Sequence, residues 1–273
     1  MRDATMPTRH LFGLEVDALT MSQTVALAER AVREHERLLI GVVNAAKIAK
    51  LNVDPVLRDS LLDADVLLAD GQSVVWASRL LGQPLPERVA GIDLFEELLG
   101  VADRDHRRIY LLGARPEVLA QVEEVIADRW PGAVIAGSRD GYFTEDEADS
   151  VAAEIAGCAP DLLFLGMTTP KKENFIARYG DLLDVPVQHG VGGSFDVLAG
   201  VTARAPRAWQ RCGMEWAYRV AQEPRRLWRR YLVTNLAFLG LVAIERVHPH
   251  AAWAHSPGDA APVTWTAITG EAS

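Results

Sequence analysis

Polar and glycine residues follow the apolar runs of this sequence, and several of them could do chemistry. The carboxylate of Asp70 interrupts an apolar run and is followed by Gly71. A carboxylate placed there could act as a general base, although Asp-Gly is also a common turn dipeptide. The other residues in comparable positions are Asn44, Gly113, Thr169, Lys172, Gly192, Gly193 and Asp196. The choice between the two interpretations of Asp70 depends on the elements that position these residues.

The apolar runs that precede these residues have the composition of strands buried on both faces. Each run is short and nearly continuous in hydrophobicity, as in parallel sheets covered by helices. Amphipathic stretches of helical length lie between them, such as residues 116–130, which begin with Pro116. The predicted strands span residues 38–44, 65–70, 108–113, 133–138, 161–167 and 185–193.

This alternation of strands and helices predicts an α/β fold, namely a Rossmann-like, doubly wound and mostly parallel sheet. Ligands of such sheets bind beyond the carboxyl ends of the strands. The residues named above follow predicted strands, so we expect them to converge on one edge of the sheet. That position favours a functional role for Asp70 over a turn alone.

The chain divides into three predicted segments. Residues 1–203 form the α/β domain with the candidate catalytic site, and residues 204–248 form a helical appendage rich in arginine and aromatic residues. Between residues 204 and 230 there are eight arginines and two glutamates, a local net charge of +6. Residues 249–273 are rich in Ala, Pro, Thr and Ser, which predicts a disordered or loosely attached tail.

Charge and hydropathy restrict the partners of the protein. The formal net charge of −9 argues against a general nucleic-acid-binding protein. The basic appendage predicts a local anionic partner, which is an anionic lipid interface or a diphosphate. The N-terminus has no secretion signal, and residues 233–247 are too short and too polar to span a bilayer. We therefore expect a protein that is soluble or rests on a membrane surface.

Motifs for metals and cofactors are weak. The stretch HGVGGSFDVLAG lacks the G-x-G-x-x-G spacing of dinucleotide-binding turns. The pair Asp63-Ala64-Asp65 opens a strand and would lie at the wrong edge of the sheet. Cys158 and Cys212 have no metal-ligand spacing. We predict that the protein uses neither a metal ion nor a cofactor.

The segment after the fifth predicted strand is a candidate anion site. Thr169 is followed by Pro170, which we expect at the first position of a helix, and then by two lysines. A helix N-terminus with Lys172 nearby would attract an anion, although a solvated helix end explains the same residues.

A set of longer motifs is more specific. These are ADVLLADGQSVVWASRLLGQPLPERVAGIDL (64–94), IYLLGARPEV, DGYF (140–143), PDLLFLGMTTPKKE, GVGGSFDVLAG and RAPRAWQRCGMEWAYRVAQEPRRLWRRY. In this order they resemble the WecG/TagA/CpsF family of bacterial glycosyltransferases, over roughly residues 10–240.

The resemblance implies a function. Members of the family transfer a sugar, typically of the N-acetylmannosamine type, from a UDP-sugar donor to a polyprenyl-diphosphate-linked saccharide. The reaction is inverting and independent of metal ions, and it serves cell-surface polysaccharide synthesis. The resemblance therefore implies a cytoplasmic protein, peripheral on the inner face of the cell membrane, that forms a dimer or trimer.

The resemblance also implies roles for individual residues. Asp70 would be the general base, and Asn44 would line the same pocket. Asp196 would contact the nucleotide, and Arg88 would be an arginine of the pocket. The appendage arginines that would close over the diphosphate are Arg219, Arg226 and Arg229.

Two positions depart from the usual residues of the family. Val42 stands where threonine is common, and Lys172 stands where glutamine is usual. The first change removes a hydroxyl group and the second adds a positive charge, so we expect a different sugar or acceptor, or altered activity. The alternative function is that of a non-catalytic UDP- or polyprenyl-phosphate-binding protein.

Overall fold

The computed structural model describes residues 6–255, apart from residues 212 and 223. The strands are β1 (Thr8–Leu11), β2 (Leu14–Asp17), β3 (Leu38–Val43), β4 (Val66–Ala69), β5 (Arg108–Gly113), β6 (Val134–Arg139), β7 (Leu162–Gly166) and β8 (Val187–Gly190). The helices are α1 (Met21–Glu34), α2 (Ala45–Ile48), α3 (Pro55–Leu62), α4 (Gln72–Leu80), α5 (Gly91–Asp105), α6 (Pro116–Arg129), α7 (Glu145–Cys158), α8 (Lys171–Tyr179), α9 (Ser194–Leu198), α10 (Arg207–Arg211), α11 (Glu215–Gln222) and α12 (Pro224–Val247).

Strands β3 to β8 form a six-stranded sheet in the order β4-β3-β8-β7-β5-β6. Every neighbouring pair in it is parallel. These strands are the six predicted ones, and helix α6 begins at Pro116 as expected. The predicted α/β fold with a Rossmann-like parallel sheet is therefore confirmed.

Both faces of the sheet are covered by apolar side chains. Successive residues of a strand point to opposite faces, so Leu111 and Leu112 of β5 belong to different core clusters. Phe95 and Phe164 meet on one face, with ring centroids 4.7 Å apart. This two-sided burial explains why the central strands read as continuous apolar runs.

Three local features differ from the sequence-based expectations. Strand β6 lies at one edge of the sheet and its residues are partly exposed instead of buried on both faces, whereas β4 at the other edge is buried. Pro170 is the N-cap residue of α8, so the helix begins at Lys171, one residue later than expected. Strands β1 and β2 form an antiparallel hairpin that the sequence analysis did not predict.

The C-terminal segment is helical, as predicted. Helices α10, α11 and α12 account for the regular structure in the described part of residues 204–248. Phe238 and Val242 of α12 are buried against the hairpin, where the rings of Phe12 and Phe238 lie 5.6 Å apart. None of the described helices is both long and apolar enough to cross a membrane.

Residues 249–255 are attached more closely than the predicted tail. The indole Nε1 of Trp253 donates a hydrogen bond to the carbonyl oxygen of Phe12 at 2.9 Å, and the Arg58 guanidinium lies 4.9 Å from the indole ring. An aromatic ring packed on the hairpin anchors this segment to the body of the protein. Residues 256–273 lie outside the described part of the chain.

Candidate active site

Asp70 and Asn44 lie side by side at the carboxyl edge of the sheet. They directly follow β4 and β3, which are parallel neighbours with Val43 opposite Ala69. The side-chain Nδ2 of Asn44 donates a hydrogen bond to Oδ2 of Asp70 at 3.3 Å. The sheet therefore brings together these two predicted site residues, which are 26 positions apart in the sequence.

The Asp70 carboxylate is oriented from a second side. Its Oδ1 accepts a hydrogen bond from the backbone N–H of Gly91 at 3.0 Å, and Gly91 is the first residue of α5. The positive end of a helix dipole stabilises a carboxylate at that position. Asp70 stays partly exposed. An oriented, accessible carboxylate is suited to removing a proton from a substrate hydroxyl group.

Asn44 has a second task. Its Oδ1 accepts a hydrogen bond from the backbone N–H of Lys47 at 3.1 Å and so caps helix α2. One amide side chain thus starts a helix with its oxygen and orients Asp70 with its nitrogen.

Arg88 lies near Asp70 and links the appendage to the body. The neighbouring Val89 N–H donates to the Ala69 carbonyl at 3.0 Å, which places this segment beside the end of β4. The Arg88 guanidinium forms ion pairs with Glu215 of α11 at 3.1 Å and with Asp93 of α5 at 3.4 Å. The Arg88 guanidinium, which was predicted to bind substrate, is therefore paired with two carboxylates of the protein in this structure.

The side chains of Thr169 and Lys172 both contact the buried carboxylate of Glu173 at the start of α8. The Thr169 hydroxyl donates to Oε1 of Glu173 at 3.1 Å, and Nζ of Lys172 lies 2.9 Å from the same oxygen. Burial by itself raises the pKa of Glu173, but attraction and hydrogen bonding from Lys172, a backbone hydrogen bond and attraction to Lys47 together outweigh burial, and the pKa lies below its ordinary value. Glu173 is therefore an ionised anchor for Lys172.

The predicted glycines fall into two groups. A Cβ atom on Gly113 would lie 2.4 Å from the backbone of Gly166, so close strand packing requires glycine at this position. Gly192 has a φ of +53° and faces open space, and Gly193 directly precedes α9. The turn formed by Gly192 and Gly193 leaves room for a ligand. At position 113, close packing of the strands already explains the glycine.

Asp196 lies in the first turn of α9. Within the described residues its carboxylate has no hydrogen-bond or ion-pair partner, so it is open to a ligand. Of the three appendage arginines predicted to close over the diphosphate, Arg229 has a described side chain. Arg229 is exposed, with its guanidinium 5.4 Å from the Trp228 ring. The side chains of Arg219 and Arg226 lie outside the described residues.

Lys47 is a candidate functional residue that the sequence analysis missed. Its Nζ donates a hydrogen bond to the Val42 carbonyl at 2.7 Å, which turns the side chain back toward the end of β3. Burial, together with repulsion from Lys172, lowers the pKa of Lys47 to about 8. The sequence feature that could have indicated Lys47 is its position three residues after Asn44, in the helical turn that Asn44 caps.

His189 is a hydrogen-bonded residue of strand β8, close to its carboxyl end. It is fully buried, and its ring nitrogens face the carbonyl oxygens of Ile40 at 3.4 Å and Gly91 at 3.1 Å. Burial lowers the pKa of His189, which favours the neutral ring. The ring therefore supports the segment whose N–H group orients Asp70.

Among the described residues, no group of three or more His, Cys, Asp or Glu side chains is arranged to hold a metal ion. Asp65 directly precedes β4, so the Asp63-Ala64-Asp65 pair lies at the amino end of that strand, as expected. Cys158 is a free thiol, and Cys212 lies outside the described residues. Whether the protein works without a metal ion stays a prediction.

A parallel sheet with an oriented carboxylate at its carboxyl edge defines an α/β ligand-binding fold with a candidate general base. Comparison with known proteins is more specific. Residues 9–252 match the sequence model of the Glycosyl transferase WecG/TagA/CpsF family. The chain belongs to this family and is a glycosyltransferase.

Two relatives have the same described activity. The chain is 42% identical over 179 residues, 66% of this chain and 68% of the relative, to an N-acetylglucosaminyldiphosphoundecaprenol N-acetyl-beta-D-mannosaminyltransferase of Bacillus spizizenii. It is 41% identical over 174 residues, 64% of this chain and 67% of the relative, to a protein of the same name from Bacillus subtilis.

Proposed function

We propose that this glycosyltransferase moves an N-acetylmannosamine-type sugar from a UDP-sugar to polyprenyl-diphosphate-linked N-acetylglucosamine. The names of the two Bacillus relatives describe this sugar and this acceptor. The observation that carries the proposal is the Asp70 carboxylate, which is held by Asn44 and by the Gly91 N–H group at the carboxyl edge.

Asp70 is the general base in this proposal. The acceptor hydroxyl oxygen attacks the anomeric carbon of the donor sugar, and Asp70 takes the hydroxyl proton as the new C–O bond forms. The bond from the anomeric carbon to UDP breaks, and UDP leaves with the bonding electron pair. Attack from the face opposite to UDP inverts the anomeric configuration. A positioned base contributes about 10²- to 10⁴-fold to such a step.

The departing UDP gains negative charge, which must be stabilised in a reaction without a metal ion. We assign this role to Lys172, to the N–H groups of Gly192 and Gly193, and to the appendage arginines Arg219, Arg226 and Arg229. Arg88 joins them once its pairs with Asp93 and Glu215 open. Asp196 contacts the nucleotide, Thr169 positions Lys172 through Glu173, and Gly113 shapes the neighbouring strand end.

The appendage provides the membrane contact in this proposal. Its helix α12 exposes apolar side chains at the described positions Leu232, Val233, Leu236 and Leu239, which are 50%, 66%, 60% and 63% exposed. Together with the excess of arginine in residues 204–230, this surface is suited to an anionic lipid interface. The protein would work on the inner face of the cell membrane, as a homo-oligomer, in cell-surface polysaccharide synthesis.

UDP release tests the proposed reaction. The donors are UDP-N-acetylmannosamine and a panel of other UDP-sugars, and the acceptor is a short-chain lipid-diphosphate N-acetylglucosamine. We expect release that requires the acceptor, persists in a metal chelator, and gives a product whose anomeric configuration, read by NMR, is opposite to that of the donor. Retention of configuration or loss of activity in chelator would contradict the mechanism. UDP binding without turnover of any donor would indicate the non-catalytic alternative.

A further inference from the structure

A cavity of about 240 Å³ lies against the sheet between helices α3 and α8. Gly41 of β3 and Gly190 of β8, which are neighbouring strands, are part of its lining. A Cβ atom on Gly41 would lie 2.9 Å from the Ala64 side chain, and one on Gly190 would lie 2.9 Å from Cδ of Lys172. The Asp70 carboxylate is not part of its lining. The cavity is therefore a neighbour of the candidate active site and not the same pocket.

Two ammonium groups line this cavity at the carboxyl edge of the sheet. Lys47 follows β3 and Lys172 follows β7, and the fold turns both side chains toward the same space. Lysine has three N–H donors. Within the described residues, Nζ of Lys47 uses one donor on the Val42 carbonyl, and Nζ of Lys172 uses one on Glu173. Each ammonium group keeps donors for a ligand.

The lining of the cavity carries two cationic side chains and one carboxylate at this edge. Lys47 and Lys172 repel each other, whereas Glu173 in the lining and Asp70 outside it attract Lys47. At the opposite end, Arg37 pairs with Asp181 at 3.1 Å, so the charges there are compensated by protein groups. Two like charges held close together and partly buried are costly unless an anion joins them.

We propose that Lys47 and Lys172 bind an anionic group of the substrate at this edge of the cavity. This inference rests on the proposed function, because it names two residues that hold the substrate beside Asp70. A phosphate and a carboxylate are bound by lysine through the same charge-assisted hydrogen bonds. The group is the diphosphate of the donor nucleotide or a carboxylate on the transferred sugar. Glu173 and Thr169 position the Lys172 ammonium, and the Val42 carbonyl positions that of Lys47.

Binding measurements distinguish the two sources. The probes for calorimetry are UDP, uridine and inorganic pyrophosphate, and the variants are Lys47→Met and Lys172→Met. If the site holds the diphosphate, each variant weakens UDP and pyrophosphate by about 10- to 100-fold, as expected for a lost charged hydrogen bond, and leaves uridine unchanged. If it holds a sugar carboxylate, UDP binding is unchanged, but the preference for a UDP-N-acetylhexosaminuronate over the neutral UDP-N-acetylhexosamine is lost.

Lys171 provides the matched control. Its Nζ donates to the carbonyl oxygens of Gly141 at 2.7 Å and Phe143 at 2.5 Å, away from the cavity lining. Lys171→Met should therefore not discriminate between UDP and uridine. Thermal unfolding shows whether Lys47→Met is folded. If it is not, Lys47→Arg still tests the site, because it keeps the charge and should retain anion binding.

The inference is overturned if both Met variants fold, bind UDP and pyrophosphate like the wild type, and keep the wild-type preference among UDP-sugars. Its failure is distinct from failure of the proposed reaction. Lysine-dependent pyrophosphate binding by a protein that transfers no sugar would support the anion site and reject the transferase proposal. Normal sugar transfer by both Met variants would support the transferase proposal and reject the anion site.

Discussion

The Asp70 carboxylate receives one hydrogen bond on each oxygen, from the Asn44 side chain and from the start of helix α5. This geometry supports the proposal that Asp70 has a role beyond that of a turn residue. A turn would need only the Asp70 backbone, whose N–H donates to the Val43 carbonyl at 2.9 Å. The side chain is oriented separately, as required of a base that must face its substrate.

Asn44 allows the capping and orienting roles to be separated at the level of one residue. A serine at this position keeps an oxygen that can cap α2 but lacks the Nδ2 donor to Asp70. We expect Asn44→Ser to lower kcat about tenfold, while the free energy of unfolding changes by only a few tenths of a kcal/mol. Asn44→Ala should lower both, with a stability loss of about 1 kcal/mol. Equal kcat values for Asn44→Ser and the wild type would contradict the orienting role.

The pKa of Lys47 gives a pH-dependent prediction. Burial and repulsion from Lys172 of α8 lower it from 10.5 to about 8, while Glu173 and Asp70 partly oppose the change. Between these two pH values the unfolded chain binds more protons than the native protein, so the contribution of Lys47 to stability rises with pH. Anion binding has the opposite dependence, because the ammonium loses its charge as the pH rises through about 8.

We therefore expect the Kd of pyrophosphate to increase above about pH 8, as followed by calorimetry. Lys47→Arg should remove this increase, because arginine stays charged. Burial also lowers the pKa of Lys171 to about 8, so Lys171→Arg is the required comparison. If the increase disappears in Lys171→Arg and persists in Lys47→Arg, Lys47 is not the titrating anion ligand.

At the scale of elements, the six strands of the parallel sheet could be predicted from the sequence. The partial exposure of β6 and the β1–β2 hairpin could not. The runs that became β3 and β7 are apolar throughout because helices cover both faces of the sheet. The same logic failed for β6, because the covering of an edge strand depends on which elements pack beside it and leaves no mark on a short apolar run. The β1–β2 hairpin was missed because each strand has only four residues and because the Phe12-Gly13 turn, in which both residues have a positive φ, lacks the Asn-Gly or Asp-Gly dipeptide of the usual hairpin signal.

The candidate site was predictable in part for a related physical reason. Asn44 and Asp70 each end a strand, and the carboxyl ends of parallel neighbours meet at one edge, so their proximity followed from the fold. Lys47 could not be found in this way, because its Nζ reaches the site by folding back onto the Val42 carbonyl. The pairing of Arg88 with Glu215 also could not be read from the sequence, since it depends on how α11 packs.

Gly113 tests the packing of β5 against β7. Its φ of +135° and the 2.4 Å approach of a Cβ atom to Gly166 leave no space for a side chain. We expect Gly113→Ala to reduce the free energy of unfolding by at least about 2 kcal/mol in urea titrations. Gly157→Ala in α7, where the added Cβ meets nothing within 4 Å, should instead be neutral or stabilising. Similar unfolding curves for the two variants would contradict this account of Gly113.

At the scale of the whole molecule, a buried carboxylate joins the two ends of the described chain. Oε1 of Glu245 in α12 accepts a hydrogen bond from the Phe12 N–H at 3.0 Å, and Oε2 accepts one from the His250 N–H at 3.1 Å. The His250 ring nitrogen Nδ1 also contacts Oε2. This carboxylate therefore holds the hairpin, the appendage helix and residues 249–255 together.

Replacement of Glu245 should loosen this junction. Glu245→Ala leaves the buried Phe12 N–H without an acceptor, so we expect a loss of about 2 to 3 kcal/mol in the free energy of unfolding. Amide hydrogen exchange should become faster along α12 and remain protected in β5 and β7. The matched control is Glu97→Ala, which removes an exposed glutamate side chain from α5 and should leave both measurements unchanged. Unchanged exchange in α12 of Glu245→Ala would show that Glu245 does not hold the helix.

The most direct test of the catalytic account is the rate of acceptor-dependent UDP release by Asp70→Asn. Asparagine has the shape of aspartate but cannot take the proton, so we predict a kcat about 10²- to 10⁴-fold below the wild type, with UDP affinity nearly unchanged. Asp196→Asn is the comparison, and it should raise the KM of the donor more than it lowers kcat. A kcat for Asp70→Asn equal to that of the wild type would contradict the account and leave Asp70 as a turn residue.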